Sequence, residues 1–186
     1  SRGLGMCIRD RVIVDHETTV RWNAPLKMWR ARVVGMLATM QEVPFSVGRI
    51  LSYGSSVHST TKVTTWRTGT AEETTFGAIG SRAAAFAHAL NDILGIDGDQ
   101  RVGTLMYNCA EHLEVMFSVA AKGSVFVPLN LQLLEDQITY IINHSEMEVL
   151  VVDPRLVPKL ARILPKCPKV HAVCFTGTKP VAPLAE

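Results

Sequence analysis

Cysteine is scarce in this 186-residue chain: four residues, too few for a disulfide scaffold. Reduced thiols in a cytoplasmic setting are the expectation. Charge is scarce too. Charged residues make up 19% of the chain, with 19 Lys+Arg against 17 Asp+Glu and a formal net charge of +2. That balance argues against a phosphate-neutralising nucleic-acid binder. A long apolar run is missing. The most apolar stretch, residues 115–134, is broken by Lys122, Gly123 and Pro128, which argues against a membrane span. Neither G-x-G-x-x-G nor G-x-x-x-x-G-K-[ST] occurs, so the chain has no dinucleotide fingerprint and no Walker loop. A G-x-S-x-G nucleophile elbow is missing as well. What is present is apolar material. Hydrophobic residues make up 47%, enough for one sizeable core and too many for a wholly disordered chain.

Residues 1–35 stand apart. They hold seven basic residues (Arg2, Arg9, Arg11, Arg21, Lys27, Arg30, Arg32) against Asp10, Asp15 and Glu17, a net of +4. The remaining residues hold twelve basic and fourteen acidic side chains, a net of −2. No sustained helical or strand period precedes Met36. There is no unbroken apolar core for a signal peptide, and the acids argue against a transit peptide. The segment reads as a basic, disordered arm or as an artefact. Its string Gly5-Met6-Cys7-Ile8-Arg9-Asp10-Arg11 resembles translated adapter sequence, with Met36 as the expected start. Trp22 and Trp29 are two lone candidate anchors. The organised domain is expected over residues 36–186.

Patterning from there predicts an α/β fold. Ser46 is positioned to cap a short helix carrying Val47, Ile50 and Leu51 to about Val57. The β-rich run Lys62–Trp66, a turn at residues 67–70 and a return at 73–76 predict a hairpin. Thr75 is placed to cap the clearest helix. Its apolar stripe is Phe76, Ile79, Ala83, Phe86, Ala87, Leu90 and Leu94, with Gly95 at the left-handed stop. Four short apolar runs then start at 102, 124, 149 and 170, separated by helical segments of about 109–122, 134–143 and 154–164. Asn108 is a candidate cap for the first of these helices, with Glu111 three residues on. Near-continuous apolar strands alternating with helices predict a mostly parallel sheet with helices on both faces.

Ligand chemistry in such a sheet is expected beyond the strand carboxyl ends: Tyr107-Asn108, Asn130-Leu131, Asp153-Pro154 and Thr176-Gly177. The stretch Thr176-Gly177-Thr178-Lys179-Pro180 offers glycine and lysine after a strand, yet a solvated loop is the better reading. Cys109-x2-His112 and Cys167-x3-His171-x2-Cys174 approach zinc spacing. His171 and Cys174 have opposite strand parity, so buried thiols are favoured over a metal site. Glu111, His112 and Glu114 could perform acid–base work, but read better as an ordinary helix start. Glu135-Asp136 suits a helix macrodipole. Arg155, Lys159 and Arg162 line one helix face, a solvated stripe in preference to a CoA-phosphate patch.

Several segments in order resemble the adenylate-forming superfamily of acyl- and aryl-CoA synthetases. Thr74-Thr75-Phe76-Gly77-Ala78-Ile79 is similar to its T-[TS]-[YF]-x-E-[LI] motif, with Ala78 in place of the glutamate. Residues 98–108, from Gly98-Asp99-Gln100-Arg101-Val102 to Asn108, resemble the G-D-R-V-A-T-L-x-W-N stretch, and Glu111-His112-Leu113-Glu114 follows. Ala120-Ala121-Lys122-Gly123-Ser124-Val125-Phe126-Val127-Pro128-Leu129-Asn130 resembles K-x-G-A-V-x-x-P-L-N-P. There Leu131 replaces a proline, and Gln132 stands where many fatty-acyl members carry arginine. Tyr140-Ile141-Ile142-Asn143-His144-Ser145-Glu146 resembles a segment of long- and medium-chain fatty acyl-CoA synthetases, as does the start at residues 36–44.

The resemblance covers about residues 36–176. It implies an ATP-dependent fatty acid–CoA ligase using ATP, Mg²⁺ and CoA, with a fatty acid as substrate and no nucleic acid. Peripheral membrane contact and a homodimer are among the partners it allows. The family's phosphate loop, adenine and ribose contacts and catalytic lysine have no counterpart by Glu186. The chain is therefore expected to be the N-terminal portion of the large domain, with no catalytic, cofactor-binding or metal residue of its own. On its own it should be inactive and poorly soluble. Two further readings remain: a non-catalytic doubly wound binding module, and the adenylation domain of a peptide-assembly enzyme.

Overall fold

A computed structural model of the chain describes residues 44–177, together with 12–14 and 20–22. The chain divides into two compact units, Ser1–Val43 and Pro44–Glu186. In the first, β1 (Val12–Val14) and β2 (Val20–Trp22) pair antiparallel, so short strands form where the sequence shows no sustained period. Trp29, and the family-like start before Pro44, lie outside the described residues.

In the second unit, α1 (Val47–Val57) begins at Ser46 as read from sequence. Its cap differs from expectation, because the Ser46 side chain makes no capping bond. The strands β3 (Lys62–Arg67) and β4 (Thr70–Thr75) pair in register from Lys62↔Thr75 to Arg67↔Thr70. Their two-residue turn has positive φ at both Thr68 (44°) and Gly69 (84°), the requirement of a type I′ hairpin. Glycine meets that requirement without strain; threonine does not.

The helix α2 (Phe76–Asp92) follows directly, and Thr75 Oγ1 accepts from the Ala78 N–H at 3.3 Å. Gly95 takes the left-handed conformation beyond its end. Ile79, Ala83 and Leu90 are its fully buried residues.

Four strands then build one sheet: β5 (Arg101–Leu105), β6 (Val125–Pro128), β7 (Met147–Val152) and β8 (Ala172–Phe175). All three pairings are parallel, in the order β6-β5-β7-β8. The crossovers are α3 (Ala110–Lys122), α4 (Glu135–His144) and α5 (Val157–Ile163), the last flanked by 3₁₀ turns. The parallel α/β sheet with helices on both faces, preceded by a small hairpin, is therefore as expected. One cap is not: α3 starts one residue later than Asn108 would place it, with Cys109 at the N-cap position. Gly123 ends α3 in the left-handed conformation (φ 91°), as its position predicts.

Strand parity sorts the core into two faces. Leu150 and Val152 of β7 pack with Leu105, Ile138, Ile142, Leu160 and Ile163, under α4 and α5. Val149 and Val151 pack with Val102, Leu90, Val115 and Val119, under α2 and α3. A register irregularity sets Arg101 opposite Met147 and Val102 opposite Val149. It turns Met147 to the α4–α5 face although Met147 shares its strand parity with Val149. A third cluster (Leu51, Ile79, Ala83, Phe117) joins α1, α2 and α3, with Val63 of the hairpin and Phe76 against it. Thus α3 is a middle layer. One side meets the sheet, and the other meets α1 and the hairpin.

Candidate functional site

The carboxyl ends of β5 and β7 are where the order of strands reverses. From β5 the chain goes to β6 on one side and then crosses to β7 on the other. Two groups of side chains gather at this end of the sheet. The first surrounds the start of α3, the second the loop after β7.

The hairpin docks against the first turn of α3 through two side chains of β3. Thr65, buried, accepts the Ala110 N–H at 3.0 Å through Oγ1. It satisfies a helix-start donor that no residue of α3's own approach reaches. Arg67 Nη2 donates to Glu111 Oε2 at 2.5 Å. Its Nε lies 3.0 Å from Glu72 Oε2, but without the alignment a hydrogen bond needs. Between the hairpin and α3 lies a cavity of about 530 Å³, walled chiefly by Val63, Trp66, Leu113, Met116, Phe126 and Pro128. Trp66 is 72% exposed at this cavity.

The three α3 residues considered for acid–base work point to three different partners. Glu111 faces Arg67 of the hairpin. Glu114 is nearly buried and takes Arg82 of α2, through Nε at 2.7 Å and Nη2 at 2.6 Å. His112 turns to the sheet, with Nε2 2.9 Å from Thr104 Oγ1. Burial pushes the His112 imidazole below its ordinary 6.5, only partly offset by a backbone bond at Tyr107. Glu111 is held below the usual carboxylate range. Desolvation opposes this, and its own backbone N–H, Cys109 and Arg67 together outweigh the opposition. These residues fasten α3 to hairpin, helix and sheet, each through a different partner.

Beyond β7, Asp153 is almost fully buried and accepts from the Arg155 backbone N–H at 3.0 Å, opening the 3₁₀ turn at Pro154. The Arg155 guanidinium donates to both carboxylate oxygens, at 2.9 and 2.6 Å. Its Cζ lies 4.4 Å above the Tyr107 ring. The Arg155 guanidinium holds the Asp153 carboxyl below its ordinary 3.8. The Asp-Pro pair is a readable turn signal in the sequence. Its bidentate arginine and the tyrosine from the loop after β5 are not, because they meet only after the strands pair.

The rest of the cationic stripe is also committed. Lys159 Nζ donates to the Leu131 and Leu133 carbonyls, at 2.8 and 2.9 Å. Arg162 pairs with Glu135 at 2.6 Å, and Lys166 with Asp136 at 3.2 Å. Glu135 thus meets Arg162 of α5, and Asp136 meets Lys166 of the 3₁₀ turn that follows it, tying that segment to the start of α4. These residues do not fit a phosphate chain. Nor do the carboxylates fit Mg²⁺: Glu111, Glu114, Asp153, Glu135 and Asp136 each face a basic partner. Among the described residues, no three Asp, Glu, His or Cys converge as metal ligands.

The thiols follow the same pattern. Cys167 is buried with the α4–α5 cluster, and Cys174 packs against the α2–α3 cluster on the other face. His171 lies just before β8, exposed, with Nε2 3.4 Å from the Leu94 carbonyl. Burial drives the Cys109 thiol up to about 11, which disfavours the thiolate near neutral pH. The lysine of the candidate phosphate loop, Lys179, lies outside the described residues. No described helix is long and apolar enough to cross a membrane.

Comparison with known proteins supplies what the side chains do not. The chain is 30% identical over 145 residues to 3-methylmercaptopropionyl-CoA ligase of Ruegeria lacuscaerulensis, covering 77% of this chain and 27% of that protein. It is 31% identical over 138 residues to a medium-chain-fatty-acid–CoA ligase of Ectopseudomonas oleovorans, 74% of this chain and 25% of that one. Among solved structures, an anthranilate CoA ligase matches with a TM-score of 0.66 at 23% identity, over 74% of this chain and 26% of that one. A Mycobacterium tuberculosis fatty acyl CoA synthetase matches with a TM-score of 0.63 at 22% identity, over 70% and 26%. At those identities the structures establish the fold alone. The chain spans roughly a quarter of the length of these relatives. The sequence profile of the family described as AMP-binding enzyme matches residues 56–184, and the chain belongs to that family.

Proposed function

We propose that this chain is the N-terminal portion of the large domain of a fatty acid–CoA ligase. The whole enzyme joins a fatty acid to the α-phosphate of ATP, releasing pyrophosphate. CoA thiol then displaces AMP to give acyl-CoA. ATP, Mg²⁺ and CoA belong to that longer protein. The residues described here provide scaffold, since every candidate acid, base and phosphate-binding cation among them is taken up by a structural partner.

The observation that carries this reading is the ordered series of family-like segments, spread over the hairpin, helices and parallel strands in chain order. Residues 98–108 run into β5, and residues 120–130 end α3 and form β6. The Tyr140–Glu146 segment ends α4 and favours the fatty-acyl branch. There Asn143 Nδ2 donates to the Lys166 carbonyl at 2.9 Å, and Glu146 pairs with Lys169 at 2.5 Å. The segment thus has a fold-building role in this chain, apart from substrate choice.

ATP–pyrophosphate exchange tests the proposal in two arms. The 186-residue chain should show no exchange with any acid, and turnover by it would overturn the scaffold reading. A protein extended along the reading frame past Glu186 should exchange with medium- and long-chain fatty acids. Exchange with 3-methylmercaptopropionate or anthranilate but no fatty acid would overturn the substrate assignment and keep the family.

A further inference from the structure

We draw no further inference here: the strongest candidate, the apolar cavity of about 530 Å³ between the β3–β4 hairpin and the first turn of α3, carries nothing because nothing in the structure shows what covers it.

Discussion

The four-stranded sheet and the β3–β4 hairpin are both β-structure, yet different forces hold them. In β7 five of six residues are buried, and the sheet is packed on both faces. Each fully buried Val, Leu or Ile contributes roughly 1.5–3 kcal/mol. In the hairpin only Thr65 is buried. A lone two-stranded hairpin is marginal in water, and the Lys62–Glu73 cross-strand pair is exposed and adds little. What keeps the hairpin in place is attachment: Val63 against α3, Thr65 on the first α3 amide, and Arg67 on Glu111. The sheet is thus stable through its own burial, whereas the hairpin depends on α3. Substitutions in the sheet should be global and large; those in the hairpin should be local and smaller.

The sharpest break in the sheet is Leu150→Ala. Leu150 is fully buried between strand and helices. The cavity should cost about 2–5 kcal/mol, read as a drop in urea midpoint. A loss below 0.5 kcal/mol, on the order of a surface change, would contradict the burial account. Gly103→Ala tests packing from the other side. A Cβ there would collide with Met147 Sδ and lie 2.8 Å from Leu150 Cδ2, both side chains buried. Overpacking should cost about 1–3 kcal/mol, because Met147 must shift within a full core.

This contrast also explains what the sequence discloses. The sheet is legible because its signals are local. Val149–Val152 is a continuous apolar run, Gly123 and Gly95 sit where left-handed stops are needed, and Thr75 precedes an apolar stripe. Caps set by tertiary contact are not legible. Asn108 looks like the α3 cap by type, yet the acceptor for the Ala110 N–H is Thr65, 45 residues before that alanine. The turn Thr68-Gly69 shows its glycine, but nothing in the threonine announces a positive φ. The candidate site is the least legible part. Glu111, His112 and Glu114 look like a reactive cluster in one dimension. Helix geometry splays them toward Arg67, Thr104 and Arg82.

Hairpin changes should follow the smaller scale. Thr65→Val keeps shape and β-propensity but removes the acceptor for the Ala110 amide. It should cost about 0.5–2 kcal/mol and raise exchange at the start of α3 while leaving β7 protected. Equal protection at the start of α3 in the parent chain and in Thr65→Val would mean that the hairpin does not cap α3. Thr68→Asn should act in the opposite direction. Asparagine tolerates the left-handed region better than a β-branched residue, so stability should rise by up to about 1 kcal/mol.

The smallest expected effect is on pH dependence. His112 is depressed by burial, so the folded state favours its neutral form. Its contribution is complete above the unfolded value near 6.5 and is lost as pH falls toward the folded value. His112→Gln should flatten that part of the stability profile, and an unchanged slope would count against the buried imidazole.

Residue-resolved amide hydrogen exchange of the chain tests the central distinction most directly. The account predicts the slowest exchange at Val102–Leu105 and Val149–Val152, with residues 66–73 opening well below the global unfolding free energy. Protection of the hairpin equal to or above that of β5 and β7 would contradict it.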